Sequence, residues 1–90
     1  MLDRAENAGT DRIALLVRRL LAKRAIERPV GRDDSLAEAG LSSLDIVNLM
    51  LAVEAEFGLK IPHREMTPAN FRSIARIAAL VAACQEASLI

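Results

Sequence analysis

The stretch GLSSLDIVNLMLAVEAEFG, residues 40–58, decides how this chain folds. Ile46, Leu49, Met50, Val53 and Phe57 recur in it at i, i+3, i+4, i+7 and i+11. At about 100° per residue they fill an arc of about 100°, the core stripe of an amphipathic helix and not the alternation of a strand. Ser42 precedes the run and Asp45 comes three residues later, the spacing of a capping box with Asp in place of Glu or Gln. Gly58 stands where a helix-ending glycine belongs. These signals predict a helix over Ser43–Phe57, with Ser42 as its N-cap.

Outward from that helix, Ile13, Leu16, Val17, Leu20 and Leu21 repeat at helical spacing and predict a first helix over residues 11–24, capped by Thr10. Arg24 projects back toward its apolar stripe, so the helix is expected to fray there or the side chain to snorkel. Pro29, Gly31 and Asp33-Asp34 mark a long loop from 27 to 40, with one short turn at 35–38 and Leu36 as its core anchor. Ile61-Pro62 reads as an extended link. Thr67-Pro68 predicts a short helical turn over 68–71, and Ser73 caps a last helix running to about Cys84, with Ile74, Ile77, Ala78 and Val81 inward and Phe71 in the core. The expected fold is all-α: a bundle of three main helices and one short one, with a long loop between the first two main helices. Residues 1–9 read as a loose leader, 10–84 as the domain and 85–90 as a tail.

Composition narrows the function. Ninety residues suffice for one small domain, and two Phe without Trp or Tyr leave an aliphatic core that favours helices. Lys plus Arg equals Asp plus Glu at 12 each, unevenly spread. Residues 1–30 hold seven basic and four acidic side chains, and residues 31–60 two basic and six acidic. The central helix contains no Lys or Arg, so no basic face is offered to nucleic acid. Cys84 is the single cysteine, and no Cys/His spacing suggests a metal. A reduced, cytoplasmic setting fits, and no apolar run reaches the roughly 18–20 residues of a membrane span.

The other side of the central helix is less ordinary. Leu44, Asn48, Leu51 and Ala55 lie opposite the core stripe, with Val47 beside them. In a small bundle that side faces water, which makes it a candidate docking face, an apolar patch with an acidic rim. Ser43 falls at the first helical position. Its hydroxyl is not needed for the cap, and it sits at the positive end of the helix dipole, where a phosphate ester is favoured.

The run AGLSSLDIVNLMLAVEAEFGLKIP, residues 39–62, resembles the helix II region of acyl carrier proteins and peptidyl carrier domains. In that family a D-S-L motif, often within G-L-D-S-L, opens helix II, and its serine bears a 4′-phosphopantetheine arm. Gly40, Leu41, Ser43 and Leu44 match it, Asp45-Ile46-Val47 continues its S-L-D-x-V, and Glu54, Phe57 and Ile61-Pro62 fall at its E-x-x-F and I-P. TPANFRSIARIAALV, residues 67–81, resembles the region from helix III to helix IV, and the likeness covers about residues 11–83.

The resemblance implies that Ser43 is the attachment residue. Its hydroxyl would attack the pyrophosphate of coenzyme A on a separate Mg-dependent phosphopantetheinyl transferase, leaving a phosphodiester at Ser43. The arm's thiol would carry acyl or aminoacyl groups as thioesters between an acyl-loading ligase or acyltransferase and condensing or transfer enzymes, in a lipid, polyketide or specialised metabolite pathway. The carrier performs no bond chemistry. Leu44, Asp45, Val47, Leu51 and Glu54 match the partner-docking face, which in the family meets basic patches.

Two departures qualify the match. Ser42 replaces the motif Asp, which removes a negative charge beside Ser43 and puts recognition by a general transferase in question. The chain is also neutral, whereas fatty-acid carriers are usually strongly acidic: Asn48, Ala55, His63 and Arg64 stand where acids are common. Together these imply a specialised carrier. The start at Met1 and the short tails suggest a standalone carrier, and a monomer is expected.

Two other readings compete. A Ser43–His63–Asp triad would need an oxyanion hole and a substrate pocket that a bundle of this size has little room for. An unmodified interaction module with a carrier-like fold stays open because of Ser42.

Overall fold

The structure, a computed structural model, describes the backbone of residues 4–88 and the side chains of residues 9–86. The elements are α1 (Arg4–Lys23), α2 (Leu36–Ala39), α3 (Ser43–Phe57), a 3-10 turn (His63–Glu65) and α4 (Ile74–Ser88). Among the described residues there is no strand. α1 packs against both α3 and α4. The architecture is the expected all-α bundle.

α1 begins earlier than its capping signal suggests. Thr10 lies inside the helix and caps nothing, and residues 4–9 of the expected leader are helical. Arg, Ala and Glu are strong helix formers, no proline precedes Pro29, and one interior glycine costs only about 1 kcal/mol. At the other end, the Ile26 N–H donates to the Leu21 carbonyl at 2.9 Å and the Ala25 N–H to the Ala22 carbonyl at 3.0 Å. This closure requires Ala25 in the left-handed region, at φ 57°.

The core is aliphatic, as the composition demands. Ile13 and Val17 of α1, Leu49 and Val53 of α3, and Ile77 of α4 are almost fully enclosed, together with Leu36 and Phe71. Ile46 and Phe57, the first and last residues of the α3 stripe, are only partly buried. Phe57 is covered from outside by Arg12, whose guanidinium lies 4.3 Å from the ring centroid. The same Arg12 donates from Nε to Glu56 Oε2 at 2.9 Å, tying α1 to the end of α3.

The long loop is held, not loose. Ser35 caps α2 by accepting from the Glu38 N–H at 3.2 Å. The Leu36 N–H donates to the Arg72 carbonyl at 2.9 Å, and the Ala75 N–H to the Arg32 carbonyl at 2.8 Å. Leu36 is thereby driven to full burial. Gly40 then turns the chain at φ 117°, a region that favours glycine, and a Cβ there would come within 3.2 Å of Ile26 Cδ1. Residues 68–71 form a hydrogen-bonded turn instead of a helix, with Thr67 Oγ1 accepting from the Asn70 N–H at 3.3 Å. Ser73 caps α4 by accepting from the Arg76 N–H at 3.2 Å, and α4 continues past Cys84 to Ser88, through part of the expected tail.

Leu36→Ala should lower stability by about 2–4 kcal/mol in urea unfolding, because the loop backbone holds the site open and limits collapse. Ala25→Gly should raise it by about 0.5–1 kcal/mol, since the relief of left-handed strain exceeds the added chain entropy of glycine. A lower midpoint for Ala25→Gly than for the native protein would show that the turn carries too little strain to outweigh the entropy of glycine.

Candidate functional site

The site is the N-terminus of α3, and its chemistry starts from the cap. Ser42 adopts extended backbone at φ −82° and ψ 172°, outside the helix. Its Oγ accepts from the Asp45 N–H at 3.2 Å and donates to Asp45 Oδ2 at 3.0 Å, and its own N–H donates to the same oxygen at 2.9 Å. Oδ1, the other Asp45 oxygen, accepts from Arg24 Nε at 2.7 Å and pairs with Nη2 at 2.6 Å. Arg24, the residue just beyond α1, neither frays nor merely snorkels. It reaches across to clamp the start of α3.

This arrangement decides where the residues expected to dock partners stand. Leu44, Val47 and Leu51 are 63%, 47% and 56% exposed, on the face opposite the core. Asp45, expected beside them, is only 3% exposed and does not belong to that face. One step along the helix turns it about 100° from Leu44, onto the flank that meets Arg24. Glu54 is half-buried, and its Oε2 accepts from the Ile61 N–H at 2.8 Å, anchoring the Ile61-Pro62 link. Arg24 is the residue that sequence reasoning missed. The available signal was an Arg at the edge of an apolar stripe together with an acid at the third helical position.

Ser43 is exposed at the first position of α3. Among the described residues nothing hydrogen-bonds its hydroxyl, and the Ser43 and Leu44 amides take no protein partner. A groove of about 670 Å³ runs alongside, lined by Leu41, Ile46, Met50, Met66 and Phe71 with Ser43 at its edge. Another groove, of about 420 Å³ between α1 and α4, shares no residue with it. His63, in the 3-10 turn, is exposed and makes no hydrogen bond to Ser43. The serine thus lacks the adjacent base that a nucleophile acting alone requires. Cys84 is half-buried on α4, where burial first, and then the negative charge of Glu65, pushes its thiol above the usual range.

The family described as the phosphopantetheine attachment site matches residues 11–81. The chain belongs to that family. It is a carrier protein, not an enzyme, and its prosthetic group is covalently held 4′-phosphopantetheine. Two relatives from Bradyrhizobium diazoefficiens resemble it. Aminoacyl carrier protein 1 is 44% identical over 71 residues, 79% of this chain and 79% of its own length. Aminoacyl carrier protein 2 is 47% identical over 64 residues, 71% of this chain and 72% of its own length. Two solved structures from Bradyrhizobium japonicum also match. A chain of the glycine:[carrier protein] ligase complexed with glycylated carrier protein aligns with a TM-score of 0.75 at 38% identity, covering 81% of this chain and 97% of that one. A chain of the same ligase's complex with its cognate carrier protein and an analogue of glycyl adenylate gives 0.77 at 38%, covering 84% and 97%.

The α3 N-terminus of this carrier suits the group. A phosphodiester on an exposed hydroxyl there meets two unpartnered amides and the positive end of the helix dipole. Ser42 closes the cap without occupying those amides.

The Ser42 amide first, and then the Arg24 side chain, hold the Asp45 carboxyl below the ordinary carboxylate range. A group lowered by folding contributes stability above its unfolded value, about 3.9, and loses it as the pH falls from there through the folded value. The thermal midpoint of the native carrier should therefore fall below about pH 4 more steeply than that of Asp45→Asn, which starts lower at pH 7. Arg24→Ala should retain part of the slope, because the Ser42 amide remains. Circular dichroism melts from pH 7 to pH 2 read this out, and equal slopes for native and Asp45→Asn would remove Asp45 from the account.

Proposed function

We propose that Ser43 bears the phosphopantetheine arm and that the carrier conveys an aminoacyl group, loaded by an amino acid:[carrier protein] ligase. The observation that carries the first half is the Ser43 hydroxyl: exposed, unbonded, at the first position of α3 and at the edge of the groove. The second half rests on the aminoacyl carrier names of both relatives and on the ligase complexes of the structural neighbours. They favour aminoacyl cargo over a fatty acid or polyketide intermediate.

The bound group supplies a thiol that holds its cargo as a thioester at the end of a flexible arm. The chain's own residues do the rest. Ser42, Asp45 and Arg24 fix the first turn of α3 so that the Ser43 hydroxyl points outward. A phosphopantetheinyl transferase provides the base and the metal that Ser43 lacks. Leu44, Val47 and Leu51 form the face on which partners dock. The tether keeps the local concentration of cargo high at each partner. Other partners would be the enzymes that receive the aminoacyl group. We place the carrier, as a monomer, in the cytoplasm, in keeping with its single cysteine; among the described residues no helix is long and apolar enough to cross a membrane.

Incubation with coenzyme A, Mg2+ and a phosphopantetheinyl transferase, followed by intact mass measurement, should show a gain of one phosphopantetheine. Ser43→Ala should abolish the gain. Ser42→Ala should keep it, at a stability cost of about 1 kcal/mol for the lost cap. A gain that survives Ser43→Ala would move the attachment to another residue. No gain with several transferases would favour the unmodified interaction module.

A further inference from the structure

α3 carries three acids and no base, and each acid is occupied within the protein. Asp45 is buried against Ser42 and Arg24. Glu56 is paired with Arg12, at 2.9 Å from Nε to Oε2. Glu54 is half-buried and holds the Ile61 amide. The face opposite the core consists of Leu44, Val47, Asn48, Leu51 and Ala55, all uncharged, while Glu56, also exposed, lies on the flank where Arg12 meets it. The groove beside Ser43 adds one charge of each sign, Glu38 and Arg72.

We infer that the loading ligase meets this face with an apolar, uncharged surface and not with a basic patch. The inference rests on the docking role proposed above and specifies its chemistry. A basic surface would find on α3 only Glu54, committed to a backbone amide, and Glu56, committed to Arg12, and in the groove Glu38 offset by Arg72. Its own desolvated cations would lack counter-charges, which is unfavourable. An apolar surface instead covers Leu44, Val47 and Leu51, whose exposure nothing else in the fold explains. Sequence alone pointed the other way, because its helical wheel put Asp45, Glu54 and Glu56 on the rim. Their engagement within the protein depends on Arg24, Ile61 and Arg12.

The test uses the protein with its arm in place, confirmed by mass, and the glycine:[carrier protein] ligase as probe. The KM for the carrier is measured in aminoacylation. Between about 50 and 500 mM NaCl it should change by less than about two-fold, whereas a face relying on several exposed ion pairs would weaken by about ten-fold or more. Val47→Glu and Val47→Lys, both at an exposed position, should each raise KM by about ten-fold, because either charge is buried without a partner. Circular dichroism checks that both variants fold.

A lower KM for Val47→Glu beside a higher one for Val47→Lys would overturn the inference and reveal a basic partner surface. A strong salt dependence would do the same. No aminoacylation of the arm-bearing carrier would overturn the ligase as occupant. Failure of the earlier reading looks different, since the mass gain at Ser43 would then be missing.

Discussion

The Asp45 carboxylate is the point on which the site depends. Its two oxygens do separate work: Oδ2 receives the Ser42 amide and hydroxyl, and Oδ1 receives Arg24. One side chain thereby closes the N-terminus of α3 and ties it to the end of α1. A nearly buried ion of this kind need not add much net stability, because desolvation opposes the attraction. What it adds is geometry. With Arg24 half exposed, part of the positive charge stays hydrated while the carboxylate is fully bonded. The first turn of α3 is held at both ends of one carboxylate, and Ser43 follows the cap by a single residue.

That arrangement also gives Ser42 a reason. The motif of the family places an aspartate there, and an aspartate can accept the Asp45 amide as well as a serine can. It cannot donate. In this chain the Ser42 hydroxyl donates to Asp45 Oδ2 at 3.0 Å. A carboxylate in the same place makes no such bond to Oδ2, so the charge lost beside Ser43 is the counterpart of a hydrogen bond gained within the cap.

Most of the fold was legible because its signals are local. The stripe of α3, its Ser42 cap and its Gly58 stop fall within residues 40–58. Ser73 and Thr67 cap where their spacing says. Most of the errors share one cause, contacts between distant segments. Nothing near Asp45 in sequence announces Arg24. Nothing near Leu36 announces the Arg72 carbonyl that turns a long loop into a fixed wall of the groove. The start of α1 failed for another reason: a good capping residue at Thr10 does not end a helix when the residues before it are themselves helix formers. At the site, the serine proposed to bear the arm was named from a short motif and its dipole. The sorting of acids into inner and outer did not follow, because it is a property of packing.

The sorting also suits what a carrier must do. On the docking role proposed above, the carrier must leave each partner as readily as it arrives, so a face of three exposed aliphatic side chains on one helix would be adequate and a large one a hindrance. Such a patch falls at the small end of specific interfaces, where residence is brief. Without charge to steer encounters, association is slower than for a strongly acidic carrier. The tethered arm offsets this once contact is made, since the cargo is then confined near the partner's reacting groups. A neutral docking face would also offer little to enzymes that select carriers by negative charge, and so would discriminate by what it lacks. The acids that could have supplied that charge serve the fold instead: Asp45 at the cap, Glu54 at the link and Glu56 against α1.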